Sequence, residues 1–487
     1  MRPDVVVIGA GPNGLVAANV LADHGLEVVV FEAQPQPGGA VRSGEVTLPG
    51  YVHDLFSAFY PFAVASPAIR RLRLEDHGLV WRRAPLVLAH PTADGPTAAL
   101  SMDLDETARS LDAFAPGDGD GWRELYARWQ RVAEPFMEAL TTPFPPLRAL
   151  SRLGPRGVLD LTRTGVPSAR RLAGRHFRGA GGGRLLAGCA MHSDLTPDSA
   201  GGGAFGWILC ALGQEHGFPA PQGGAERLTD ALVQRLESRG GRVVCDSRVA
   251  AVSIRRRRAI GVRLADGTGV PAARGVVADT GAPQLYLELV GREHLPARTR
   301  AGLRRFRYDS STIKVDWALT APIPWADPVV RRAGTVHVGG EPFLVIGQYA
   351  AADETRAPPG AETAWAYTHV PQGGTWGRDE LERFAERIEQ QLERLAPGFR
   401  DRIAARHIAG PRELEAANAN LVGGALNGGT AKLRQQLILR PVPGLGRPET
   451  PVRGLYLGSA SAHPGGGVHG APGAIAARAL LARRLAG

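Results

Sequence analysis

The stretch Val5-Val6-Val7-Ile8-Gly9-Ala10-Gly11-Pro12-Asn13-Gly14-Leu15-Val16-Ala17-Ala18 decides how the rest of the chain is read. Four β-branched residues in a row predict a short strand buried on both faces, as in a parallel sheet. Three glycines then break the chain. Leu15 to Ala22 is apolar and helix-forming, and Gly25 suits a helix end. A second strand follows at Glu27-Val28-Val29-Val30-Phe31, closed by Glu32 and Ala33. Gly9 permits a tight turn, Gly11 lets the backbone approach a pyrophosphate, and Gly14 lets the helix pack on the strand. With Pro12 and Asn13 between them, the helix start offers free N–H groups and the positive end of its dipole to phosphates. Glu32 stands where a carboxylate can accept bonds from ribose hydroxyls. Three spaced glycines alone would carry little. Strand, glycines, helix, strand and terminal acid within one short unit predict a dinucleotide site.

Downstream comes Gly38-Gly39-Ala40-Val41-Arg42-Ser43. An ordinary turn would account for Gly38 and Gly39 by themselves. Joined to the first unit, Glu32 and Gly-Gly-x-x-Arg resemble the second fingerprint of the flavoprotein superfamily that holds amine oxidases, phytoene desaturases and the Rab GDP-dissociation inhibitors. That resemblance implies FAD, with Gly38, Gly39 and Arg42 brought to its pyrophosphate. His53 and Asp54 follow closely and are read as caps or buried hydrogen-bonding groups.

The remaining chain alternates between two regions. Residues 85–102 read as strands and 105–140 as helices broken at Pro116 to Gly119. Residues 141–185 read as short helices, and 185–217 as an apolar, small-residue stretch. The triple glycine at 201–203 follows no clear strand and is not counted as a second nucleotide site. His192 is read as structural. A helix is expected from Gly223 to Ser238. Strands follow at 242–245, 249–254 and 259–264, with a hairpin turn at Asp266-Gly267 and a further buried strand at 274–280. Three more strands are expected at 311–319, 343–347 and 364–369, then a charged helix at 378–395. The C-terminus has a strand at 454–460, a tight His463-Pro464-Gly465-Gly466-Gly467-Val468-His469-Gly470 loop, and a helix from Ala474 to Leu485. The fold class expected is α/β, α+β overall. A Rossmann-like FAD-binding domain is assembled from residues 1–84, 218–286 and 431–487. A substrate-binding domain, a mixed sheet with a helical cap, takes 85–217 and 287–430.

Taken whole, the chain resembles the phytoene desaturase-related FAD oxidoreductases. The carrying segments are 7–42, 50–54, 218–279 and 455–473. The His-Pro-Gly-Gly-Gly-Val-His-Gly segment is similar to the soluble phytoene dehydrogenase-like group, whereas carotenoid desaturases proper show Pro where His469 stands. The resemblance implies that the backbone at Val249 meets the adenine and that the turn at Asp279 closes over the dinucleotide. It also implies that Gly458, Gly466, Gly467 and Val468 turn backbone toward the flavin ring. The Ser311-Thr312-Ile313-Lys314 strand resembles that of amine oxidases, whose Lys holds a water near flavin N5; Lys314 and His469 are the catalytic candidates. No Cys lies in the C-terminal segment, so the FAD is expected to be non-covalent. The expected reaction is dehydrogenation of a largely apolar small molecule by hydride transfer to flavin N5, the acceptor being O2, a quinone or another oxidant. Three other readings stay open. One is an amine or amino-acid oxidase releasing H2O2, with Trp317, Trp365 and Tyr367 as cage candidates. The others are a flavin-dependent non-redox isomerase and a binder of prenylated partners, the last opposed by the intact FAD motifs.

Composition bounds these readings. The chain has 487 residues with 63 Gly and 38 Pro, which suits about two to three domain-sized units rich in turns. Its net charge is +10, yet only Lys314 and Lys432 are lysines. No aromatic-interleaved basic motif supports nucleic-acid binding. Nine arginines stand between Leu147 and Arg184 against one acid, Asp160, as either a solvated face or one that touches anionic lipid. Cys189, Cys210 and Cys245 are scattered, which fits neither a disulfide framework nor a metal site. The chain is expected to be cytoplasmic, without a signal peptide, with peripheral membrane contact left open.

Overall fold

The valine run behaves as its composition dictates. In the computed structural model, which describes residues 2–482, Val5–Ile8 is a fully buried strand at the centre of a five-stranded sheet. Val28–Phe31 and Gly275–Ala278 pair with it in parallel, and Arg242–Val244 and Leu455–Leu457 form the edges. Val5, Val7, Val28 and Val30 share one core with the helices Pro12–Ala22, Glu226–Ser238 and Ala471–Ala482. Val6, Ile8, Val29 and Val276 pack the other way, against the antiparallel ribbon Val249–Arg255, Arg258–Leu264 and Gly269–Pro271. Successive residues of one strand serve opposite cores, so the strand has no place for a polar residue.

A second, seven-stranded sheet has the order Ile403–Ala409, Ser311–Leu319, Glu362–Val370, Leu344–Gln348, Ala333–Val338, Leu86–His90, Ala98–Leu100. It is mixed: Ala333–Val338 and Leu86–His90 run parallel, while the other pairings are antiparallel. Ile313, Val315, Trp317 and Leu319 face a core shared with the helix Arg378–Leu395. The period of two turns Thr312, Lys314 and Asp316 to the opposite face. Trp129, Trp207 and other side chains of the helices between Asp118 and His216 cap the Leu86–Leu100 end.

Asp54 joins the two sheets. Its fully buried carboxylate accepts from Ser43 Oγ and from the Ala225 N–H that opens the helix Glu226–Ser238. It also takes the Arg356 guanidinium at 2.9 Å and the Tyr349 hydroxyl. Arg356 in turn holds Asp353 at 2.9 Å.

Two strands of the large sheet, Ala333–Val338 and Ile403–Ala409, had no clear signal. The second is a half-exposed edge strand carrying Arg406 and His407, so it lacks a regular apolar alternation. The expected short helices of 141–185 include Leu147–Gly165, which is broken at Gly154, where φ 61 and ψ 178 interrupt the helix ahead of Pro155. The last helix starts at Ala471, three residues before the expected Ala474; its expected end at Leu485 lies outside the described residues.

Candidate functional site

The first glycine turn is built as the chemistry requires. Gly9 has φ +91, which side-chain-bearing residues rarely adopt. A Cβ on Gly14 would stand 2.1 Å from the Gly9 carbonyl oxygen, so only glycine lets the helix Pro12–Ala22 begin so close to the strand. The second turn lies directly on the first: a Cβ on Gly39 would stand 3.0 Å from Gly11 Cα, and Gly38 N–H donates to the Ala10 carbonyl. Glu32 accepts from the Ala10 N–H at 2.7 Å and the Gln34 N–H at 3.0 Å, which fixes its carboxylate at the strand end.

Gly9, Gly11, Glu32, Ala33, Gly39, Arg42, Val249 and Asp279 line one cavity of about 160 Å³. Its far wall is the Ala417–Asn420 segment. There Arg42 donates to the Ala417 carbonyl, and Asn420 donates to the Asp279 carbonyl at 3.1 Å. Burial lowers the Arg42 pKa, and Glu32 opposes that shift. Pro12, Asn13, Gly14 and Gly38 sit behind the wall as its frame. Two buried oxygens at this place, Asn13 Oδ1 and the Thr280 hydroxyl of the cavity wall, have no protein partner. The N-cap residue of the helix, Gly11, has no side chain to bond the first N–H groups, of which Asp279 takes that of Gly14. Orphaned polar atoms, close glycine backbone and a fixed carboxylate fit the two phosphates and the ribose of a dinucleotide.

Asp279 does more than close a turn. Its Oδ2 accepts the Gly14 N–H at 2.8 Å, so the carboxyl itself sits at the start of the helix. Burial pushes its pKa up to about 7, against the pull of the Gly14 and Asn13 bonds.

The C-terminal glycines have a different task. Gly458 packs between Val277 and the last helix, and Gly466 lies against Asn427. Gly467 has φ +110 and touches the His469 ring; Val468 packs against the core of the five-stranded sheet. A Cβ on Gly473 would stand 1.9 Å from the Asn13 carbonyl, so the start of the last helix docks on the start of the first. His469 Nδ1 accepts the Ala471 N–H at 3.1 Å, and burial pushes the ring down to about 4, leaving it neutral. The ring meets Phe62 edge-on. His469 thus caps the terminal helix.

Lys314 lies on the polar face of the large sheet and is not among the residues that line the nucleotide cavity. Its ammonium bonds Asp316, two residues along the same face, and stands 5.9 Å above the Trp365 ring. His53 Nδ1 approaches the same carboxylate at 3.5 Å, and His407 at 3.8 Å. Burial alone would raise the Asp316 pKa; Lys314, His407 and His53 together hold it below the usual range. Trp365 and Tyr367 stack at 5.9 Å on this face, with His369 edge-on to Tyr367. Trp317 is not part of this group. It faces the opposite core, with its indole N–H on Glu389 and its ring against Phe399.

Sequence reading missed Arg440, Asp309 and Arg356. Arg440 is a buried cation whose guanidinium is spent on carbonyls, among them Asn427 at 2.8 Å and Ala460 at 2.7 Å. Asp309 accepts the N–H groups of Leu426, Asn427 and Gly429. Burial pushes Arg440 down to about 10 and Asp309 up to about 6. Together they tie the 426–430 loop to the glycine loop. In a chain so rich in Arg, nothing local distinguishes Arg440 or Arg356. The Gly470-Ala471-Pro472-Gly473 run, by contrast, was a visible signal for close helix packing.

The model for the family described as flavin containing amine oxidoreductase matches residues 13–481. Among curated proteins, pyridine nucleotide-disulfide oxidoreductase domain-containing protein 2 of Mus musculus is 29% identical, covering 98% of this chain and 93% of its own. A phytoene desaturase (lycopene-forming) of Pseudescherichia vulneris is 26% identical over 98% of both chains. A limonene dehydrogenase polypeptide of Castellaniella defragrans is 24% identical over 95% of this chain and 91% of its own. A solved oxidoreductase from Methanosarcina mazei superposes with a TM-score of 0.65 at 18% identity, covering 99% of this chain and 100% of that one.

Proposed function

This chain belongs to the family of flavin-containing amine oxidoreductases, and from that premise we propose that it dehydrogenates a largely apolar organic molecule with a non-covalently held FAD. Bound FAD would supply the hydride acceptor. The chain's own residues do the rest. The Gly9–Gly14 turn and Gly39 bring backbone close to the pyrophosphate, with the Gly38 and Gly14 N–H groups tied into the frame by the Ala10 carbonyl and Asp279, while Arg42 adds positive charge and Glu32 takes the ribose. Trp365 and Tyr367 offer a broad aromatic wall to an apolar substrate, and Phe59 lies 6.1 Å from Trp365. Lys314, neutralised by Asp316, holds a proton position on that wall. The observation that carries the reading is the convergence of both glycine motifs, Glu32 and Arg42 on one cavity. Relatives named for phytoene and for limonene support dehydrogenation over amine oxidation. The test is anaerobic mixing of the flavin-loaded protein with a panel of unsaturated apolar compounds and of amines. An apolar compound should bleach the visible flavin bands. Bleaching by amines alone, with H2O2 appearing on readmission of air, would replace this reading with amine oxidation.

We further infer a cytoplasmic protein that rests on anionic lipid. Among the described residues no helix is long and apolar enough to cross a membrane. Leu147 (70% exposed), Leu150, Val158 and Leu159 stand out from the kinked helix Leu147–Gly165, and Val166 (55%) follows its end. Leu433, Leu437 (56%) and Ile438 continue the patch. Leu433 lies on Gly201, whose N–H bonds Val166 O at 2.9 Å. Exposed Arg156 and Arg163 stand on the same helix. An apolar strip edged by arginine suits the headgroup boundary of an anionic bilayer, where each cation contributes about 1 kcal/mol. Sedimentation with anionic but not neutral vesicles, abolished by Leu437→Asp with Ile438→Asp, is expected. No sedimentation, or a dimer closing over the patch in analytical ultracentrifugation, would overturn it.

A further inference from the structure

A second cavity, of about 430 Å³, opens at the far side of the large sheet and shares no lining residue with the nucleotide cavity. Its walls are the His90–Ala93 strand end, the Val338–Glu341 turn and the last turns of the helix Arg378–Leu395. Three arginines line it, Arg184, Arg387 and Arg394. Among the described residues none of the three forms an ion pair. Two are instead held by rings: Arg184 lies 5.4 Å over Phe114, and Arg387 lies 5.5 Å over Phe384. Stacking of this kind fixes a guanidinium plane while leaving its N–H groups free for a ligand. The lining carries one carboxylate, Glu341, against these three cations.

The floor is the independent observation. His90 is 8% exposed and lines the cavity, and its Nδ1 is sealed in the protein without a hydrogen-bond partner. That nitrogen is closed off from the cavity, and Nε2, 3.5 Å from where a Cβ on the lining residue Gly339 would stand, is the ring nitrogen left for a ligand. Burial, reinforced by Arg184, pushes this ring down to about 4, so it stays neutral and can donate one N–H. The ring stands edge-on to His337, whose Nε2 is 2.7 Å from His192 Nε2. From the floor, a run of rings, His337 and then His192, leads along the sheet face that carries Tyr367.

We propose that this cavity binds a small molecule through a carboxylate or phosphate oxyanion, held by Arg184, Arg387 and Arg394 over the His90 floor. A planar guanidinium takes either oxyanion in a two-point contact, and its charge-assisted bonds are stronger than neutral ones. The site is separate from the flavin cradle and stands whether or not the proposed reaction does.

The test is titration calorimetry on the flavin-loaded protein at fixed ionic strength. The probes are inorganic phosphate and citrate, with chloride as the control. Saturable binding of one or both is expected, and the tighter of the two shows which oxyanion the site prefers. Arg184→Gln with Arg387→Gln should weaken it by at least about tenfold while leaving the visible flavin spectrum unchanged. Arg394→Gln alone, at an exposed position, should weaken it less than the double variant and guards against a folding defect there. No heat beyond chloride, or binding indifferent to all three substitutions, would overturn the proposal.

Discussion

The two sheets solve different problems by different means. In the five-stranded sheet the site is written in the backbone. Gly9, Gly14 and Gly39 matter for atoms they lack, and they lie within one short stretch of chain. In the seven-stranded sheet the site is written in side chains. Lys314, Asp316, Trp365 and His53 come from three distant segments and meet only because strands pair and alternate. A backbone site tolerates no added atom. A side-chain site tolerates a change less the more charge that change leaves uncompensated.

The sharpest way to break this contrast is Gly14→Val. Its first added carbon meets the Gly9 carbonyl at 2.1 Å, so the purified protein should be colourless and take up no FAD. Gly25→Ala is the control. That glycine has φ +71 but open space around it, so the cost should be only about 1 kcal/mol with flavin retained. Equal flavin content in both variants would remove the argument from close approach.

Arg356→Met comes next. It strips Asp54 and Asp353 of a fully buried cation where the two sheets join. Loss of one partner from such a group costs about 3–5 kcal/mol, to be read in urea unfolding. Lys314→Met acts within the side-chain site alone. It should retain the flavin spectrum, lower stability by about 3 kcal/mol by leaving the Asp316 charge without its cation, and lower kcat more than KM. Loss of FAD from this variant would mean that the two regions are not separable.

Asp279 supplies a pH test. Its pKa in the folded chain, about 7, lies above the ordinary 3.8. The folded protein thus holds a proton that the unfolded chain has released, and the stability of the flavin-free protein falls as pH rises from about 4 to about 7. FAD affinity should fall over the upper part of that window, because an ionised Asp279 places negative charge beside the pyrophosphate. Asp279→Asn should flatten both slopes, as followed by melting curves and fluorescence titration. The smallest effect is expected at His469. His469→Gln removes the nitrogen that accepts the Ala471 N–H and should cost about 1 kcal/mol with little change in turnover. A large fall in kcat would restore a catalytic role.

The same contrast explains what was legible in the sequence. The Val5–Ile8 strand, the helix after it and the acid at Glu32 are all local, and their order can be read without a fold. The α/β character followed from strands alternating with helices along the chain, whereas the mixed second sheet was what the resemblance to the flavoprotein superfamily implied. Trp317 shows the limit: it shares a strand with Lys314, and alternation put it on the opposite face, into the core with Phe399. Asp54 reads as an ordinary polar residue until Arg356, Tyr349 and Ala225 arrive from 302, 295 and 171 positions away. Arg440 was hidden for the same reason. Its partners are carbonyl oxygens, which leave no trace in side-chain identity.

The central claim is that the N-terminal cradle holds FAD without a covalent bond. The most direct measurement is the visible spectrum of the purified protein, before denaturation and again on the filtrate after it. The account predicts two flavin bands in the native protein and free FAD in the filtrate. A colourless protein that takes up no added FAD, or a flavin that stays with the denatured chain, would contradict it.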